Sequence, residues 1–168
     1  MIGWLARVFA FRSGWLSAEP PRFSDAGLAD ASAIASLHAA SFRRGWSEDE
    51  IERLLLDRTV LAHRAQIGCR TVGFILARCA ADEAEILSVA TASHAQGRGI
   101  GRGLLELHLR RLAGLEVNAV FLEVDEHNEP ARRLYARAGF HEVARRPAYY
   151  GREGATPAAA IVLRRDLA

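Results

Sequence analysis

Gln96-Gly97-Arg98-Gly99-Ile100-Gly101-Arg102 stands between an apolar run, Ile86-Leu87-Ser88-Val89-Ala90, and a leucine-rich run from Leu104 to Leu112. These flanks predict a strand that turns directly into a helix. Alternating glycines let a backbone approach a ligand with no Cβ in the way, and the free N–H groups and positive end of the following helix favour an anion. A pyrophosphate is the natural guest, although a tight turn alone would also use such glycines. The stretch lacks the Gly-Lys-Ser/Thr ending of a nucleoside-triphosphate loop. It also comes past the middle of the chain, after antiparallel-looking strands, which does not fit the first turn of a dinucleotide-binding fold.

Upstream, Ala31, Ile34 and Leu37 recur at helical spacing between Leu28 and Phe42, and Gly45-Trp46 breaks the pattern. Ser47 and Glu50 form a capping box, with Trp46 placed to staple onto Ile51, so a second helix is expected to about Asp57. Phe42 and Trp46 flank the connection between these helices. They read either as packing residues or as contacts to a substrate in a neighbouring cleft. Val60 to Ala65 and Thr71 to Ala80 predict a hairpin about Gly68, followed by a strand from Glu85 to Ala90. Gly73 marks either a bulge or a weak point in its strand.

Downstream, Leu105, Leu109 and Leu112 give the helix after the glycine loop an apolar stripe. In Val120-Phe121-Leu122-Glu123-Val124-Asp125, Val120, Leu122 and Val124 face one way and Phe121, Glu123 and Asp125 the other. An acid on an internal strand is hydrated, paired or used in chemistry. Asn128-Glu129-Pro130 opens another helix, Ala131, Leu134, Tyr135 and Ala138 share one face of it, and Gly139 caps it. Phe140 to Ala144 and Ala160 to Leu167 supply two closing strands. The order of elements predicts an α+β fold, with a mixed, largely antiparallel central sheet flanked by helices.

At 168 residues the chain fits one domain with a substantial core. Its net charge of +2 gives no argument for nucleic acid or a membrane. All 22 basic residues are arginine. Cys69 and Cys79 lie ten residues apart without zinc-site spacing, so no metal and a reduced, cytoplasmic setting are expected. Residues 1–21 read as an amphipathic extension, with Trp4, Val8, Phe11 and Trp15 at helical spacing, ahead of a domain at 22–168. The extension is too short and too interrupted by Arg7 and Arg12 to span a membrane.

With Leu87-Ser88-Val89-Ala90 ahead of Gln96-Gly97-Arg98-Gly99-Ile100-Gly101, and Asn128-Glu129-Pro130-Ala131 leading to Leu134-Tyr135 and Gly139-Phe140, the chain resembles the GNAT family of acetyl-CoA-dependent N-acetyltransferases over about residues 29–167. Within that family, Phe121-Leu122-Glu123-Val124, Trp46-Ser47-Glu48 and the Tyr149-Tyr150 pair make it similar to the bacterial enzymes that acetylate the N-terminal alanine of a small-subunit ribosomal protein. The resemblance implies acetyl-CoA as cosubstrate, with Glu123 as proton acceptor and Tyr135 as proton donor. It implies cofactor contacts at Val89, Ala90, Thr91, Gly97, Arg98, Gly99, Ile100, Gly101, Arg102 and Asn128, and acceptor contacts at Phe42, Trp46 and Tyr149. Asp125 in place of a common arginine, Thr91 in place of a usual valine, and Arg43-Arg44-Gly45 in place of a common proline depart from the pattern on the acceptor side more than in the main-chain cofactor contacts. An acetyltransferase for a small-molecule amine and a non-catalytic acyl-CoA sensor are the alternative expectations, the latter disfavoured by the presence of both Glu123 and Tyr135.

Overall fold

The computed structural model describes residues 19–146 and 159–167, so the Trp4 to Trp15 segment and Tyr149 lie outside the described residues. The chain runs β1 (Arg22–Asp25), a 3-10 turn (Leu28–Asp30), α1 (Ala31–Ser41), α2 (Glu48–Leu56), β2 (Val60–Ile67), β3 (Arg70–Ala80) and β4 (Glu83–Thr91). A second 3-10 turn (Ser93–Ala95) then leads to α3 (Ile100–Gly114), β5 (Ala119–Asp125), α4 (Glu129–Arg137), β6 (His141–Arg146) and β7 (Ala160–Asp166). The strands form one sheet in the order β1-β2-β3-β4-β5-β7-β6. All neighbours are antiparallel except β4 and β5, which are parallel because α3 carries the chain back over the sheet between them. This is the α+β sheet the sequence predicts.

Two apolar layers flank the sheet. On one face Ile34 of α1 and Ile51 of α2 pack on Ala62, Phe74, Leu76 and Ala90. On the other, Ile100, Leu104, Leu105 and Leu112 of α3, with Tyr135 of α4, pack on Ile75, Ala77, Ile86, Leu122 and Val124. The capping box at α2 is formed: Glu50 N–H donates to Ser47 Oγ at 3.2 Å, and Ser47 N–H donates to Glu50 Oε2 at 2.7 Å. Trp46 packs against the cluster that contains Ile51, as expected of a staple.

Gly73 sits at a bulge, where the β2–β3 register slips between Ala65 and Gln66. A Cβ there would lie 2.9 Å from Ile100 Cγ2 and 3.1 Å from both the Ala90 carbonyl oxygen and Leu104 Cδ1. The glycine therefore lets the first turns of α3 lie close on the sheet. Strand β1 has no counterpart among the expected elements. Its four residues are mostly exposed, and it is held by pairing with β2 and by Phe23, whose ring fills the space left by the missing side chain of Gly103.

Two histidines are also buried in this layer. His63 of β2 and His108 of α3 approach Nδ1 to Nδ1 at 2.7 Å, both rings fully buried, and His63 Nε2 lies 3.3 Å from Asp25 Oδ1. One ring donates to the other, and burial lowers the pKa of both. Burial, reinforced by the facing His63, pushes the His108 pKa down to about 3.

Gly73→Ala should lower unfolding stability by about 1–3 kcal/mol in urea titrations, the usual cost of overpacking. Gly114→Ala, with nothing within 4 Å of the added Cβ, should not lower it. Because the folded state refuses the His108 proton that the unfolded chain takes up near pH 6.5, the contribution of this site is complete above pH 6.5 and is lost as pH falls towards about 3. The loss approaches about 1.4 kcal/mol per pH unit. Urea midpoints at pH 5 and pH 7 should therefore differ more for the wild type than for His108→Leu.

Candidate active site

The β4–β5 ladder is short. It pairs Glu83 to Ile86 with Ala119 to Leu122 and then ends, although β4 continues to Thr91 and β5 to Asp125. The cause lies on the other side of β4, where the register against β3 slips so that Leu76 faces Ser88 while Ala77 faces Ile86. Leu87 is the extra residue, and such a bulge bends its strand. Strand β5 is held by β7 along all seven of its residues. The two strands part into a wedge whose facing edges, Leu87 to Thr91 and Glu123 to Asp125, carry no ladder hydrogen bonds between them. Beside the wedge, Ser88 Oγ is buried with no partner among the described residues.

Every cofactor residue expected from the sequence within β4 and the glycine loop falls on or just beyond this wedge. Val89, Ala90 and Thr91 form its β4 edge. Gly97 and Gly99 have φ of +74° and +76°, a left-handed backbone that glycine adopts without strain, and Gly99 is the N-cap of α3. Ile100 is buried, and Gly101 lies in the first turn of α3 beside Thr91 and Leu134, where a Cβ would make ordinary contact at 3.9 Å from Thr91 Oγ1 and 3.4 Å from Leu134 Cδ2. The loop thus aims helix-end N–H groups at the mouth of the wedge. The side chains of the two loop arginines are engaged elsewhere: Arg98 Nη2 donates to the Glu19 carbonyl oxygen at 3.3 Å, and Arg102 pairs with Glu106 at 2.7 Å. Asn128 is the N-cap of α4, its Oδ1 accepting the Ala131 N–H at 3.2 Å.

Beyond the loop, a groove of about 1190 Å³ runs between α3, α4 and the end of β7. Leu105, Leu109 and Leu134 form part of its lining, with Arg102, Arg110, Arg133, Arg137 and Arg165 around them. An apolar trough bordered by guanidinium groups suits a ligand that combines phosphates with a flat ring. The wedge, the glycine loop and this groove together fit the thioester arm, pyrophosphate and nucleotide of a coenzyme A ester.

The two catalytic candidates lie on opposite faces of the sheet. Tyr135 of α4 lies within the α3-side core, its ring edge-on to Phe140 at 5.7 Å, and burial pushes its pKa up to about 12. It holds its proton at neutral pH. Glu123 of β5 points the other way, into a groove of about 570 Å³ between α2, β4 and β5, where Trp46 also lies. Its carboxylate is 41% exposed and pairs with Arg146 at 3.0 Å. Phe42, 40% exposed, is at the other end of the α1–α2 connection and does not line this groove.

Glu85 also lines the groove and has neither an ion pair nor a hydrogen bond among the described residues. It is not among the site residues expected from the sequence. Its signal is the alternation of β4, which puts Glu85 on the face opposite Ala84 and Ile86 and so on the same side as Glu123.

Residues 31–140 match the family model described as the acetyltransferase (GNAT) family. The chain is 38% identical over 89 residues to the [ribosomal protein bS18]-alanine N-acetyltransferase of Haemophilus influenzae, covering 50% of this chain and 60% of that protein. It is 32% identical over 114 residues to the Escherichia coli K12 protein of the same name, covering 66% and 76%. It is also 40% identical over 78 residues to the mycothiol acetyltransferase of Streptomyces bingchenggensis, where the match covers 45% of this chain but spans only a quarter of that protein's length. Among solved structures, the E. coli ribosomal-protein-S18-alanine N-acetyltransferase superposes with a TM-score of 0.80 at 24% identity over 88% of this chain and 94% of that one. Arabidopsis thaliana NAA60 in complex with acetyl-CoA superposes with a TM-score of 0.74 at 19% identity over 87% and 98%. From the wedge, the glycine loop and a family match over residues 31–140, the chain belongs to the GNAT family of acetyltransferases, whose cosubstrate is acetyl-CoA.

Proposed function

We propose that this protein transfers the acetyl group of acetyl-CoA to the N-terminal amine of a protein, with the alanine terminus of a small-subunit ribosomal protein as acceptor and the cytoplasm as its place of action. The observation that carries the reading is the wedge itself, with a phenol held protonated on one face and carboxylates on the other. The similarity to the two ribosomal-protein enzymes supports the choice of acceptor.

An amine attacks a thioester only when neutral. An α-amino group titrates near pH ~8, so roughly a tenth is neutral at pH 7, against about one in a few thousand for a lysine side chain titrating near ~10.4. An N-terminus needs the least help. In this reading the amine enters the groove beside Trp46, and its ammonium form exchanges with Arg146 at Glu123. Glu123 takes the proton directly or through a water. A backbone N–H at Val89 polarises the carbonyl as the tetrahedral oxygen develops charge, and Tyr135 supplies the proton to the departing thiolate. Gly97 to Arg102 hold the pyrophosphate through main-chain N–H groups, and Asn128 fixes the start of α4, which carries Tyr135.

A second reading is acetyl transfer to a small-molecule amine, which the match to mycothiol acetyltransferase favours. The two are separated by release of CoA thiol from acetyl-CoA and an alanine-starting peptide, run beside the same peptide with a blocked N-terminus. Release with the free peptide alone is the expected outcome. Equal silence with both peptides, with acetyl-CoA binding intact, would give the small amine precedence.

Tyr135→Phe and Glu123→Gln should each lower kcat by about 10²-fold or more, the usual range for acid and base groups. If Glu123→Gln keeps its kcat while Glu85→Gln loses it, the proton goes to Glu85 instead.

A further inference from the structure

We infer that His38 is a positioning residue for the acceptor, holding the connection between α1 and α2 in the shape that walls the groove at Glu123. The inference rests on reading that groove as the acceptor side. His38 lies in the last turn of α1 and is only 4% exposed. The Trp46 backbone N–H donates to its Nδ1 at 3.0 Å, across eight residues of chain. The imidazole also stacks on the Trp46 indole, with ring centres 4.3 Å apart and planes inclined by 15°, and meets the Phe42 ring at 4.4 Å. One side chain therefore grips both ends of the connection.

The other anchors of the connection lie at its α2 end, where Ser47 forms the capping box and Trp46 packs on the Ile51 cluster. Residues 42–47 form no helix or strand, and the Phe42 N–H only continues the α1 pattern by donating to the His38 carbonyl oxygen at 2.9 Å. Gly45 presses back on α1 so closely that a Cβ would come within 2.8 Å of Ala39. An acceptor at Nδ1 requires a neutral ring with its proton on Nε2. Burial lowers the His38 pKa, more than Glu50 raises it, and so keeps the ring in that form. Without this acceptor, the Trp46 N–H loses its partner and the indole at the groove is held to α1 by ring contact alone. The expected cofactor contacts at the glycine loop and α3 lie across the sheet and are untouched.

A histidine that merely fills space would be replaced well by phenylalanine, which keeps the stack and has no acceptor. Asparagine does the reverse, placing Oδ1 within the reach of Nδ1 without the ring. Steady-state kinetics of the full chain with acetyl-CoA and an alanine-starting peptide should show His38→Phe raising KM for the peptide about five- to tenfold, the cost of one hydrogen bond. Its kcat and its KM for acetyl-CoA should stay within about twofold of wild type, and His38→Asn should lie nearer wild type than His38→Phe. A phenylalanine variant with an unchanged peptide KM, or with both KM values raised alike, overturns the inference. Should His38→Phe not fold, His38→Leu against His38→Asn carries the comparison, since both lack the ring and only asparagine keeps an acceptor within reach of the Trp46 N–H.

A second readout needs no substrate. The chain has three tryptophans, so Trp4→Phe with Trp15→Phe leaves Trp46 as the sole indole. In that background, loss of the His38 acceptor should make Trp46 emission more open to acrylamide quenching, and unchanged quenching overturns the inference. If the peptide is not acetylated at all, the acceptor assignment fails, while this measurement still decides whether His38 holds the connection.

Discussion

The parting of β4 from β5 is the constraint on which the rest of this structure depends. A strand pair that stops after four ladder partners leaves backbone N–H and C=O groups facing a gap, and buried groups of that kind demand partners. The protein sustains the gap because each strand is anchored on its far side, β4 by β3 and β5 by β7 along its whole length. The extra residue at Leu87 directs β4 away, and the glycine loop with α3 then lies where β4 arrives. A ligand with its own amide groups can take up the unmet hydrogen bonds, so the site is a vacancy in a sheet rather than a cavity between domains.

The same bulge exchanges the faces of β4. Before it, Ala84 and Ile86 belong to the α3-side core; after it, Ala90 belongs to the α1–α2 core. This divides the chemistry. The phenol of Tyr135 is dry and protonated on the α3 side, and Glu123 and Glu85 sit in an open groove on the α2 side. Acid and base need not compete for a proton with each other, because the sheet stands between them except at the wedge. Close approach of α3 completes the arrangement, since Gly73 and Gly103 each remove a side chain where strand or helix must come near.

Much of this was legible along the chain. The capping box at Ser47 and Glu50, the alternation that turns Glu123 away from Val124, and the glycines at 97, 99 and 101 are local signals, set by neighbours within a turn or two. Other features were silent for an equally physical reason. Strand β1 has no periodicity of its own and exists through β2 and Phe23. His63 and His108 are 45 residues apart and look like surface residues until β2 and α3 pack.

The sequence by itself determined the helices, every strand but β1, their order and the anion-binding turn, because helix periods, strand alternation, caps and positive-φ glycines act over a few residues. Tertiary structure alone decided where β4 leaves β5, which carboxylates share a groove, and that His38 grips Trp46. Those depend on strand register and on contacts between elements far apart in the chain. A shift of one residue in register changes every face, and the alternation of Glu83 to Thr91 reads the same whether or not the bulge is there.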